Sequence, residues 1–188
     1  MVDSIPLETA TTLIEAAQER AEEIDNPMVI AVANSEGNLI AQHRMDGAWL
    51  ASVNISKNKA YTAAALDMPT HALAEPSKPG NSLYGLDTRD EGRMVVFGGG
   101  YPLERDGEVV GAIGVSGGEV SQDRDVAEAG VARWEALDET KVLVYWEHRA
   151  YNHVRDDIVG QIYQEFYYET RFALCYPAHF SKLFERLM

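Results

Sequence analysis

Three stretches of this sequence carry side chains whose types and spacing suit chemistry. His43-Arg44-Met45-Asp46-Gly47 sets an imidazole, a guanidinium, a thioether and a carboxylate within five residues. The guanidinium suits a carboxylate ligand and the thioether is a soft donor. The plain alternative is a turn closed by an Arg44–Asp46 ion pair, with Met45 in the core. Lys57 and Lys59, two of only five lysines, are followed by Thr62. A helix face bearing Lys59 and Thr62 can receive an anionic ligand, or the two lysines are simply solvated.

The third stretch is Gly111-Ala112-Ile113-Gly114-Val115-Ser116-Gly117-Gly118. It lacks the Lys-Ser/Thr pair of a phosphate-binding Walker loop, and its glycine spacing is not the dinucleotide fingerprint. Gly114 to Gly118 does satisfy G-x-S-x-G, the nucleophile elbow of serine hydrolases, with Ser116 as nucleophile. That reading needs a downstream acid and histidine and a parallel sheet. The histidines His148, His153 and His179 lie near the end of the chain, and the strand before Ser116 leaves a tight hairpin. The plain alternative is a glycine-lined strand end that a backbone or a ligand approaches closely. No H-E-x-x-H spacing occurs, and the single Cys175 excludes an intramolecular disulfide and a zinc site built on several thiolates.

These stretches have to be positioned by ordinary elements. Leu7, Thr11, Leu13, Ile14, Ala17 and Ala21 recur at helical spacing, with Ser4 as N-cap, Pro6 in the first turn and Asp25-Asn26-Pro27 as the stop. Met28–Ala33 and Leu39–Met45 read as strands joined by the turn Asn34–Asn38. A second helix is expected from about Ala48 to Leu66, with Ala51, Ile55, Ala60, Ala63 and Leu66 inward and Pro69 ending it. A short helical piece, His71–Glu75, precedes a loop rich in Pro and Gly, Pro76–Gly92. After Arg93–Phe97 and Gly98–Gly100 comes Tyr101-Pro102-Leu103, and the Asp106-Gly107 hairpin signal leads into the strand Val109–Val115. A third helix opens at Ser121-Gln122-Asp123 and runs through Val126, Ala129, Val131 and Trp134. Tight turns between neighbouring strands imply an antiparallel sheet with helices packed on it.

Composition bounds the function. The 188 residues carry a net charge of −14, which disfavours duplex nucleic acid as a partner. No apolar run is long enough to span a membrane and the N-terminus has no signal-peptide pattern, so a cytoplasmic protein is expected. Residues 1–140 hold all of the net charge, whereas residues 141–188 are neutral overall and hold 11 of the 17 aromatic side chains. A boundary is therefore expected near 138–141, between a domain over 1–140 and an aromatic-rich helical extension over 141–188. In the extension, Val142–Trp146 reads as a buried strand or hydrophobic junction. Tyr151, Val154, Ile158, Ile162, Phe166 and Thr170 read as an amphipathic helix that packs at a subunit interface. The acidic surface and scarce lysine also fit a high-salt cytoplasm, as in a halophile.

Five blocks in order resemble one family. They are Ile30-Ala31-Val32 with Glu36-Gly37-Asn38-Leu39; Arg44-Met45-Asp46-Gly47-Ala48; Lys59-Ala60-Tyr61-Thr62-Ala63; Gly98-Gly99-Gly100-Tyr101-Pro102-Leu103; and Gly107 to Gly118 with Gln122-Asp123 behind. Across residues 7–137 the chain is similar to the GlcG/HbpS-like haem-degrading domain family, related to the C-terminal domain of PduO-like proteins. The resemblance implies an α/β (α+β) fold: an antiparallel sheet of about five strands flanked by helices, PAS- or profilin-like. It further implies homo-oligomers and a small-molecule ligand, haem or another iron porphyrin, with haem degradation as a further activity. The other reading it carries is a non-catalytic assembly or sensory module beside 2-hydroxy-acid or diol metabolism. The implied ligand site gathers His43, Arg44, Met45, Asp46, Lys59, Thr62, Gly99, Gly100, Ser116 and Gly117. Arg44 and Lys59 would meet the propionates, and His43 or Met45, only one of which is expected to face a given pocket, would meet the iron. Thr62 is a weaker oxygen donor. No acid–base constellation marks catalytic residues.

Overall fold

A computed structural model describes the backbone of residues 5–154 and the side chains of residues 5–137. The chain divides into two units, Met1–Asp138 and Glu139–Met188. The elements are α1 (Leu7–Glu23), β1 (Val29–Asn34), β2 (Leu39–Arg44), α2 (Leu50–Leu66), β3 (Gly100–Arg105), β4 (Glu108–Ser116) and α3 (Val120–Val154), with a 3-10 turn at Thr70–Leu73 after α2. Asp-Gly at 106–107 closes the β3–β4 hairpin, both residues taking positive φ, as a type I′ turn requires.

The sheet has the order β2-β1-β4-β3 and every pairing is antiparallel. The described residues hold four strands, against the about five that the resemblance implies, and Arg93–Phe97 is not one of them. β1 and β4 are central and nearly all buried. On one face α1 and the start of α3 enclose the main core, in which Leu13, Ile14 and Ala17 meet Ile30, Val32, Ile113, Val115 and Val126. Arg20 of α1 ties the two helices at the surface through Asp125, 2.8 Å away. The other face carries α2 over a small core made only of alanines: Ala33, Ala60, Ala63, Ala64 and Ala112.

Three local expectations are corrected. The residue before α1 is Pro6, in extended conformation and without a side-chain cap; Ser4 lies outside the described residues. The inward face of α2 is Ser52, Ser56, Lys59, Ala60, Thr62, Ala63 and Ala64. Ala51 is exposed, while Ile55 and Leu66 are half-buried. Small side chains dominate where that face lies on β4, because the helix backbone comes close to the sheet there, with the Ser56 carbonyl and the Ala60 N–H directly over Gly114. Finally, Val142–Trp146 is not a strand but continues α3 as helix. The remainder of the amphipathic stretch, from 155 onward, lies outside the described residues.

Candidate functional site

The glycine-rich strand ends and α2 meet around one buried ion pair. On α2, Ser52, Ser56, Lys59 and Ala63 fall at helical spacing on one stripe, and that stripe faces the sheet. Lys59 therefore cannot be solvated; its side chain is fully buried. Its Nζ donates to Asp123 Oδ2 at 2.5 Å and to the Val115 carbonyl at 2.8 Å. The ring of Phe97, itself partly exposed, covers the ammonium at 4.8 Å. Burial pushes the Lys59 ammonium below its ordinary pKa, and the neighbouring carboxylate opposes the shift.

Asp123 sits in the first turn of α3 and was not singled out by sequence as a site residue. Its second oxygen, Oδ1, accepts the backbone N–H groups of Gly117 and Gly118, each at 3.0 Å. One carboxylate thus joins α2, the end of β4 and the start of α3. The available signal was its place five and six residues behind Gly118 and Gly117, where a carboxylate can reach back to N–H groups of the link between β4 and α3.

Gly99 crosses above the pair at φ +110°, and a Cβ there would stand 2.8 Å from Lys59 Nζ and 2.7 Å from the Val115 carbonyl oxygen. The position therefore excludes any side chain. Gly100 begins β3, and its N–H donates to Thr70 Oγ1 at 3.0 Å. So Gly99, Gly100, Lys59 and Gly117 are brought together, with Asp123 at the centre.

Ser116 adjoins this group but is not a nucleophile elbow. β4 is antiparallel to both neighbours, and Ser116 Oγ, nearly buried, donates to Ser52 Oγ at 3.2 Å. No imidazole meets it among the described residues, so the hydrolase reading is set aside. Thr62 is also placed otherwise than expected. Its hydroxyl is buried, donates to the Asn58 carbonyl at 2.7 Å and accepts the Val95 N–H at 3.0 Å. It clamps the segment before the glycine triplet onto α2 and has no free face for a ligand.

Residues 43–46 form a separate group at the edge of the sheet. Arg44 is exposed, and its Nε and Nη2 donate to the Ala48 carbonyl at 3.1 and 2.8 Å. The expected Arg44–Asp46 ion pair is absent among the described residues, and Asp46 is exposed. Met45 packs partly against the main core, its sulfur accepting the Met28 N–H at 3.3 Å. His43 is half-buried. The expectation that only one of His43 and Met45 faces a given side is corrected by strand geometry: a spacing of two puts both on the same side, away from Arg44. Beside Arg44, at the start of α2, Trp49 and Leu50 are 67% and 74% exposed. No cluster of three or more His, Cys, Asp or Glu able to hold a metal ion occurs among the described residues. None of the described helices is long and apolar enough to cross a membrane.

Comparison with known proteins places this architecture. An uncharacterised 15.0 kDa protein from the dhaT–dhaS intergenic region of Citrobacter freundii is 44% identical over 130 residues, 69% of this chain and 92% of that protein. The corrinoid adenosyltransferase PduO of Salmonella typhimurium is 42% identical over 120 residues, which is 64% of this chain but only 36% of PduO. Among solved structures, the PduOC:heme complex superposes with a TM-score of 0.68 at 38% identity, covering 70% of this chain and 95% of that one. A family model described as "Haem degrading protein HbpS-like" matches residues 5–132. On that match, which spans α1 to the first part of α3, the chain belongs to the HbpS-like family.

Proposed function

We propose that this domain binds haem through the exposed patch at the start of α2. The observation that carries the reading is the likeness to the PduOC:heme complex, 38% identical over nearly all of that chain. Haem needs apolar contact for the macrocycle and cations for its propionates. Trp49 and Leu50 are large apolar side chains left in solvent, and Arg44 beside them keeps guanidinium N–H groups beyond those on the Ala48 carbonyl. Arg44 would hold a propionate, and Trp49 and Leu50 would cover the ring edge. Lys59 does not fit that role, because Asp123 and Val115 already take its ammonium. His43 points to the other side of β2 from Arg44, so one porphyrin cannot use both from one copy.

Bound haem supplies iron able to activate oxygen or peroxide. The buried acid and base of this domain are tied to each other, which favours binding or sensing over turnover by the protein's own groups. Titration with haemin, followed at the Soret band, tests the proposal. Saturable one-to-one binding is expected, weakened about tenfold in Arg44→Ala by loss of a charge-assisted hydrogen bond. Absorbance that never saturates, or an Arg44→Ala curve that overlays the native one, defeats it.

A further inference from the structure

The turn Thr70–Leu73, held on β3, contains a histidine, His71, that the haem proposal does not use. His71 lies with its ring 5.6 Å from that of Tyr101, and its Nδ1 is buried without a hydrogen-bond partner among the described residues. Around it, Tyr101 OH donates to Glu128 Oε1 at 2.5 Å, Arg124 Nε donates to Tyr101 OH at 3.2 Å, and Arg124 pairs with Glu128 at 3.7 Å. The adjacent residue, Thr70, supplies the hydroxyl that accepts the Gly100 N–H.

We propose that His71 is a proton-operated latch on the glycine loop that roofs the Lys59–Asp123 pair. A neutral imidazole can carry its one hydrogen on Nε2 and leave Nδ1 as a bare buried acceptor, at modest cost. A protonated ring must place a second N–H at Nδ1, where no acceptor waits, and puts a positive charge beside the Arg124 guanidinium. Among the described residues, Glu128 is the facing group that favours the charge, and it is already engaged by Tyr101 and Arg124. α2, which the turn also touches, ends in Asp67, which is exposed. Burial and Arg124 accordingly hold His71 below its ordinary 6.5.

The released state of the turn, with an ordinary imidazole, binds the proton more readily than the docked state. Docking is therefore complete above pH 6.5 and weakens as pH falls below it. Once the turn lifts, Thr70 leaves the Gly100 amide, while the Gly99 carbonyl keeps the Val115 N–H at 2.8 Å, so the loosening begins at Gly100.

The Gly100 amide reads the latch directly, since Thr70 Oγ1 is its acceptor. Hydrogen exchange of the full chain at about pH 7.5 and about pH 5, corrected for intrinsic rates, is the experiment. Protection at Gly100 is expected to fall about tenfold at the lower pH while Ile113, in the central strand, keeps its protection. In His71→Phe, which keeps a ring over Tyr101 but cannot titrate, Gly100 protection should not change with pH. Thr70→Val should leave Gly100 unprotected at both. Equal protection at both values in the native protein, an equal fall in His71→Phe, or a matching loss at Ile113 each overturns the latch.

Discussion

Lys59→Met is expected to cost about 3–5 kcal/mol of folding stability, measured by urea unfolding. The size follows from what stays behind. The methionine fills most of the volume, but Asp123 keeps a charge in a site almost without solvent, its Oδ2 stripped of the ammonium at 2.5 Å. The Val115 carbonyl loses its side-chain donor as well. Adding Asp123→Asn to that variant should recover part of the loss. The amide oxygen still accepts from Gly117 and Gly118, and no orphan charge remains. If the two substitutions cost the sum of their separate effects, the pair is not coupled and the burial argument fails.

Gly114→Ala should be nearly as damaging, at about 3 kcal/mol or more, with α2 as the element that loses its seat. A Cβ at 114 would fall 2.5 Å from the Ala60 backbone N and closer still to the Ser56 carbonyl oxygen. Both are helix backbone, which cannot rotate aside as a side chain would. The helix must lift, and the alanine core of Ala33, Ala60, Ala63, Ala64 and Ala112 opens with it. A thermal melt of Gly114→Ala that overlays the native one would show that α2 has more freedom than this packing allows.

The same glycine shows how far the sequence could be read. Gly111 and Gly114 were legible as places where something comes close, and G-x-S-x-G invited a hydrolase. What comes close at Gly114 is the backbone of α2, while Ser116 ends an antiparallel strand with Ser52 as its partner. The element order, the hairpins and the strand β4 were legible because their signals are local: short apolar runs bounded by turns, the Asp106-Gly107 turn and the stop at Pro69. The inward face of α2 was read correctly at Ala60 and Ala63 and misread at Ala51, Ile55 and Leu66, which apolar periodicity favours, whereas close backbone packing selected Ser52 and Ser56 as well. Asp123 escaped notice because a carboxylate near a helix start has an ordinary local explanation.

By itself, the sequence determined an antiparallel sheet flanked by helices, the family to which the chain belongs, and the contrast in composition between acidic residues 1–140 and the neutral, aromatic-rich residues 141–188. Only the tertiary structure decided what the charged residues do. Lys59 and Asp123 are 64 residues apart, and no periodicity within one element can tell whether a lysine on α2 faces solvent or a carboxylate on α3. That outcome depends on how closely α2 lies on β4 and where the glycine loop crosses, which are properties of the packed layers. Arg44 differs because it stands exposed at the sheet edge, where its Nε and Nη2 donate to the carbonyl of Ala48, four residues on, so that its setting depends on nearby residues and little on how the layers pack.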